Sequence, residues 1–185
     1  ETVDGIETVF AVNHLAYFFL THLLLDRIRA SAPARIVNVA SDAHKFVGEF
    51  DFDDPQSRSQ FKSMRVYGYS KLANILYTRE LARRLQGTGV TVNAVHPGAV
   101  ATGLGNNNGS FAKVLTGVLG VFFKTPENGA ATSIHVATAP ELEGVSGRYF
   151  AKSREAKISR GAQNDEAGQR LWTLSEELTG LSPSA

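Results

Sequence analysis

Cysteine is absent from this 185-residue chain. That excludes disulfides and thiolate zinc sites and fits a reducing compartment, so a cytoplasmic location is expected. Charge of one sign is missing as well: 19 basic and 18 acidic residues leave a net charge of +1, with the basic residues scattered, so no nucleic-acid partner is expected. No apolar run reaches the roughly 20 residues needed to cross a bilayer, so no transmembrane segment is expected. Leu15 to Leu25 is interrupted by Thr21 and His22, and Val114 to Phe123 is short and contains glycine. The first run reads as a buried helix and the second as packed core, with a substrate lid or membrane-touching helix as the other reading of the second. There is no Gly-x-Ser-x-Gly elbow around Ser41, and His14, His22, His44, His96 and His135 lack the close spacing of metal ligands, which sets aside hydrolase and metalloenzyme readings. The carboxylates of Asp51, Asp53 and Asp54 fall in a turn-rich excursion and are not read as a metal cluster.

What is present is a single globular domain's worth of chain, residues 1–185, since 43% hydrophobic content supports a core and no repeats or linkers interrupt it. Asp4-Gly5-Ile6-Glu7 is a capping-box pattern that opens a helix to about Ala30 with Asp4 as the cap. Residues 34 to 40 form a short β-branched apolar run after Pro33 and read as a buried strand with Ser41 at its carboxyl end. A helix carrying Tyr67 and Lys71 follows. After Gly87-Thr88-Gly89, residues 90 to 95 read as a second buried strand, ending in His96-Pro97-Gly98. Thr125-Pro126-Glu127 starts a further helix to about Thr138, residues 147 to 150 read as a last short strand, and Asn164-Asp165-Glu166 opens a final helix closed near Gly180.

Tyr67 and Lys71 carry the chemistry in this pattern. Four residues apart, they share one helix face. A proton-transferring phenol needs such a neighbour, because an unperturbed tyrosine titrates near about 10 and a nearby cation favours the phenolate. Open parallel sheets bind their ligands beyond the carboxyl ends of the strands, so Ser41, the Tyr67 helix and Pro97-Gly98 converge on one crevice. Tyr69 is a second phenol near Lys71, but two residues away it belongs to another face. The glycines of Gly103-Leu104-Gly105-Asn106-Asn107-Asn108-Gly109 do not directly follow a strand and are spaced wrongly for a dinucleotide fingerprint, so they read as an active-site loop.

Four segments, in order, resemble the short-chain dehydrogenase/reductases, and within them the retinol-dehydrogenase-like and WW-domain-oxidoreductase-like members. They are Val12-Asn13-His14-Leu15, Arg35 through His44, Tyr67 through Asn74, and Val95 through Thr102. The resemblance implies an α/β fold, the carboxyl-terminal portion of a Rossmann-type doubly wound parallel sheet. It also implies an oxidoreductase that interconverts an alcohol and a carbonyl with NAD or NADP. By that likeness Tyr67 is the general acid/base, and Lys71 is its cationic partner and holds the nicotinamide ribose. Ser41 hydrogen-bonds the substrate oxygen, and Asn13 anchors a proton-relay water. Pro97, Gly98, Val100 and Thr102 line the nicotinamide end of the cofactor. A lipophilic small-molecule substrate is expected, as is a homodimer through the helices near residues 5 to 30 and 67 to 86.

The chain departs from the family in Ala16-Tyr17 and in Ala40, which stands where a serine often precedes Ser41. The family's Gly-rich turn and Asn-Asn-Ala-Gly stretch are missing, so roughly its first third, the dinucleotide-binding half, is expected to lie outside this chain. For the chain alone, the alternative is a noncatalytic relic or association scaffold of the same fold.

Overall fold

A computed structural model of the chain describes residues 1–59, 61–98 and 126–181. Helix α1 spans Thr8–Ala30. Strand β1 (Ala34–Val39) leads into a 3-10 turn over Asp42–Phe46, then α2 (Ser63–Arg84) and β2 (Val90–His96). Helix α3 (Pro126–Thr138), strands β3 (Tyr149–Ala151) and β4 (Arg154–Glu155), and α4 (Asp165–Thr179) complete the order.

The sheet runs β1-β2-β3-β4, with β1–β2 and β2–β3 parallel and β3–β4 antiparallel. In a strand, successive side chains alternate between faces, and both faces here are apolar. Ala34, Ile36, Val90 and Val92 join Phe18, Tyr77, Leu81 and Trp172 under α1, α2 and α4. Val37, Val39, Val95 and Phe150 meet Val136 of α3 on the other face. The result is a helix–sheet–helix α/β fold of the Rossmann type, as the sequence predicts.

Several boundaries differ from the sequence reading. Glu7, not Asp4, caps α1: its carboxylate accepts from the Val9 and Phe10 amides, while its own amide donates to Gln56 Oε1. Asp4 instead precedes a turn at Gly5, whose φ of 72° is a left-handed value that favours glycine. β1 is mostly half-buried rather than buried, because its outer edge has no partner strand among the described residues. Strand β4 has no sequence signal: Lys152 and Ser153 both take positive φ, 53° and 54°, in a turn that ordinarily advertises itself through Asn-Gly. The final helix is as expected, with the Asn164 side chain accepting from Ala167 N and Gly180 left-handed at φ 67°.

The expected buried helix at Leu15 to Leu25 is also corrected. Only one side of α1 is covered, and Val12, Phe19, Leu20, Leu23 and Leu24 are exposed. With 23 residues and a mean hydropathy of 1.5 in its most apolar window, α1 is long and apolar enough to cross a membrane, which the sequence reading denied for every segment. In this fold it is a wall of the core, with Leu15 and Phe18 packed inside.

Helix α4 lies against α1 and α2. Trp172 sits between Phe18 (5.0 Å) and Tyr77 (6.0 Å), and a Cβ at Gly168 would meet the Leu76 carbonyl at 3.4 Å. Residues Leu72 through Thr78 of α2 are all buried. Helix α4 thus covers part of α2 within the chain.

His14 links α1 to α4 and produces a pH effect. The Ser175 hydroxyl donates to Leu171 O at 2.7 Å, so its oxygen accepts from His14 Nε2 at 2.9 Å, which places the proton of the neutral ring on Nε2. Burial lowers the His14 imidazole from 6.5 to about 4, with the Asn74 side chain pulling the other way. A depressed imidazole favours the folded state fully above 6.5, and that contribution is lost as pH falls through about 4. The loss is about 3 kcal/mol for this fully buried ring. Urea midpoints followed by the single tryptophan are expected to fall between pH 7 and 4, and to fall less in His14→Gln. Equal slopes in the two proteins would refute the assignment.

Candidate active site

The carboxyl ends of β1 and β2 lie side by side, with Val39 paired to Val95 and Ala40 N donating to Val95 O at 2.8 Å. Ser41 therefore sits beside His96-Pro97-Gly98, and Gly98 has φ 93°, a turn that favours glycine. Helix α2 is held to the same end of the sheet by two side chains on one carbonyl: Lys71 Nζ donates to Val39 O at 3.1 Å and Asn74 Nδ2 at 3.2 Å. Lys71 Nζ is also 5.6 Å from the centre of the Tyr67 ring. Lys71 is buried, and that burial lowers its ammonium from 10.5 to about 8, which leaves it mostly charged at neutral pH.

Ser41 is extended (φ −159°, ψ 153°) and caps the 3-10 turn, its Oγ accepting from Ala43 N at 3.2 Å. With that oxygen already an acceptor, the hydroxyl proton is available to an outside oxygen. Gly68 sets how closely the turn approaches α2. A Cβ there would lie 2.8 Å from Val47 Cγ1 and 3.0 Å from Ala43 O, so a larger residue beside Tyr67 would push the Ser41 turn away.

Asn13 lies in a π-helical segment, Ala11–Leu15, within α1. Such segments mark functional positions often enough to be notable. Its Nδ2 donates to Ser70 Oγ at 3.0 Å, and Ser70 Oγ donates to Tyr67 O at 2.8 Å, so Asn13 reaches the Tyr67 turn through Ser70. Tyr69 is turned elsewhere, with its ring on Phe50 and its hydroxyl accepting from Arg65. Asn13, Ser41, Tyr67, Lys71, Pro97 and Gly98 thus gather at one end of the sheet. Val100 and Thr102, the Gly103–Gly109 loop and the Val114–Phe123 run lie outside the described residues.

The sequence reading gave no role to Ser70, Asn74, Asp42 or Tyr149. The first two stand inside the quoted Tyr67-to-Asn74 segment, one next to Lys71 and one a turn beyond it. Asp42 accepts from Tyr149 OH at 2.9 Å and pairs with Lys45 at 2.6 Å. Burial works against the Asp42 charge, yet these two contacts hold its carboxyl below the usual range. Burial first, and Asp42 second, push the Tyr149 phenol up.

Asp51 and Asp54 direct their carboxylates at nearby amides, those of Asp53, Asp54, Arg58 and Ser59, and no group of three metal-ligating side chains occurs among the described residues. A cleft of about 1020 Å³ opens at the amino ends of β1 and β2, the opposite end from Ser41. Among its lining charges Arg79 pairs with Asp165 and Arg83 with Glu80.

A Rossmann-type sheet with a Tyr-x-x-x-Lys helix and a serine at the adjoining strand end defines a class of α/β proteins. The profile of the family described as short chain dehydrogenase matches residues 1–112, and the chain belongs to that family. It is 48% identical over 181 residues to retinol dehydrogenase 12 of Mus musculus, covering 98% of this chain and 57% of that protein. The crystal structure of an uncharacterized protein from Mycobacterium Paratuberculosis superposes with a TM-score of 0.74 at 31% identity, covering all of this chain and 63% of the other. A short chain dehydrogenase from Burkholderia cenocepacia J2315 in complex with NADP gives 0.58 at 25% identity, covering 89% and 59%. The chain thus spans a little over half the length of the curated relative.

Proposed function

We propose that the full-length protein containing this chain interconverts an alcohol and a carbonyl with a nicotinamide dinucleotide, acting on a lipophilic substrate of the retinol type. The observation that carries this reading is the buried Lys71, beside Tyr67 and fastened to Val39 O at the strand end that leads into Ser41, whose hydroxyl oxygen is an acceptor and whose proton is free. When bound, NAD or NADP supplies the hydride. The protein supplies the proton and the electrostatics. Ser41 Oγ–H donates to the substrate oxygen as negative charge develops there, and Tyr67 delivers its proton to that oxygen in the reducing direction. Lys71 stabilises the phenolate left behind, and its remaining N–H groups fit a ribose diol. Pro97-Gly98 border the same opening. Asn13 and Ser70 hold the Tyr67 turn at its backbone, and Asn13 is the proposed anchor of the relay water.

The likeness to a retinol dehydrogenase supports the substrate class, and the NADP complex of a relative supports the cofactor class without choosing NAD or NADP. The part of the relative that this chain does not span is proposed to pair with the open edge of β1. A second reading, an association scaffold, is favoured by that same edge and by the exposed Val12, Phe19, Leu20, Leu23 and Leu24.

One experiment separates the two readings. The full-length protein is expected to bind NAD(P)H in calorimetry and to turn over aldehydes in a carbonyl panel, while residues 1–185 alone bind dinucleotide poorly and associate. Full-length protein that neither binds nor turns over would leave the scaffold reading standing, and tight binding by monodisperse residues 1–185 would refute the proposed division.

A further inference from the structure

His44 is fully buried and stands three residues after Ser41. The sequence offers it as one of five scattered histidines, and the chemistry above does not use it. Its ring nitrogens face two backbone groups whose roles are fixed. Nδ1 lies 2.6 Å from Ser41 O, which can only accept, and Nε2 lies 3.2 Å from Ser159 N, which can only donate. Both contacts are satisfied by one form alone, the neutral ring with its proton on Nδ1. The ring edge packs on Tyr149 at 5.1 Å and 73°.

From this geometry we propose that His44 is a positioning residue: it fixes Ser41 from its carbonyl side and makes that placement depend on the segment around Ser159. The Ser41 carbonyl also accepts from His44 N at 3.2 Å, so one residue holds it twice while the Ser41 hydroxyl oxygen accepts from Ala43 N. The neighbouring segment is seated tightly, since a Cβ at Gly161 would collide with the Gly48 carbonyl oxygen. A staple from Ser159 through His44 to Ser41 thus ties the chain after β4 to the residue proposed to polarise the substrate.

The staple requires a neutral imidazole. Burial lowers the His44 pKa; the Ser41 carbonyl and the Asp42 carboxylate favour the charged form, and Lys45 and His96 oppose it. The Tyr149 ring completes the surroundings. Protonation would place a hydrogen on Nε2 directly opposite the Ser159 N–H, two donors facing each other, and the bond would be lost. A depressed imidazole keeps this contact intact through neutral pH and loses it on acidification.

The inference rests on the oxidoreductase reading for its kinetic consequence and on geometry alone for the staple, so two readouts are needed in the full-length protein. Long-range ¹H–¹⁵N spectra of the imidazole, assigned by the signal missing in His44→Phe, are expected to show the neutral Nδ1–H tautomer at pH 7. The Ser159 amide is expected to exchange faster in that variant. His44→Phe keeps the ring packing but removes both bonds, and kcat is expected to fall about 10- to 100-fold, the cost of a misplaced reacting group, with the dinucleotide affinity unchanged. His44→Asn keeps a donor at the Nδ1 position and does not titrate, so it is expected to recover much of kcat and to lose the part of the acid limb that His44 contributes. An Nε2–H tautomer, an unaltered Ser159 amide, or wild-type turnover in His44→Phe would overturn the proposal. If the wild type reduced no carbonyl, the function would fall, and the tautomer and amide exchange would still decide the staple.

Discussion

Tyr67→Phe in the full-length protein is expected to lower carbonyl reduction by about 10²- to 10⁴-fold while dinucleotide binding survives. Phenylalanine keeps the ring beside Lys71 and removes only the hydroxyl. The loss corresponds to about 3 to 5 kcal/mol of barrier, within what a positioned general acid contributes. Lys71→Ala is expected to weaken both turnover and cofactor affinity, because it also deletes the bond to Val39 O that fastens α2 to the sheet end. Tyr69→Phe is the control: its hydroxyl meets Arg65 and its ring Phe50, so turnover should change little. Steady-state assays over aldehydes and ketones check all three, and near-normal turnover by Tyr67→Phe would remove Tyr67 from the site.

The signals that could be read along the chain are those whose physics is local. Alternation of Ala34 and Ile36 against Val37 and Val39 marks a strand covered on both faces, and Asn164 and Gly180 bound the last helix because an amide side chain and a left-handed glycine act within a turn of themselves. Tyr67 and Lys71 were legible for the same reason, being one helical turn apart. Asp4 misled because the cap at Glu7 depends on Gln56, which presents its oxygen from a distant loop. The burial of α1 was overread from composition, since apolar content does not say which side a neighbour covers.

Long-range partners account for the rest. Asn13 meets Ser70, His44 meets Ser159, and Asp42 meets Tyr149, each bridging elements far apart in the chain. No spacing rule connects such pairs; the parallel sheet brings them together by placing successive strand ends side by side. The seat of α4 is long-range in the same way: the stripe of Leu171, Trp172, Leu174 and Leu178 is legible in the sequence, but the groove between α1 and α2 that receives it is not.

That seat leads to the second large effect, Trp172→Ala, which is expected to cost about 3 to 5 kcal/mol of stability. Trp172 is 4% exposed and touches both α1 and α2. It packs against Phe18 and Tyr77, and the Arg84 guanidinium lies 4.1 Å above its ring. Its indole Nε1 donates to the buried Glu176 carboxylate at 2.7 Å. Truncation to alanine leaves a cavity between three helices and takes a hydrogen-bond donor from Glu176, two penalties that fall on one site. Domains of this size have a net stability of about 5 to 15 kcal/mol, so the change removes a large part of it. Trp172→Phe keeps most of the volume and loses only the donor, so its penalty should be the smaller. Urea unfolding of the full-length variants followed by circular dichroism measures both, and an alanine variant within about 1 kcal/mol of wild type would mean that α4 does not occupy this groove.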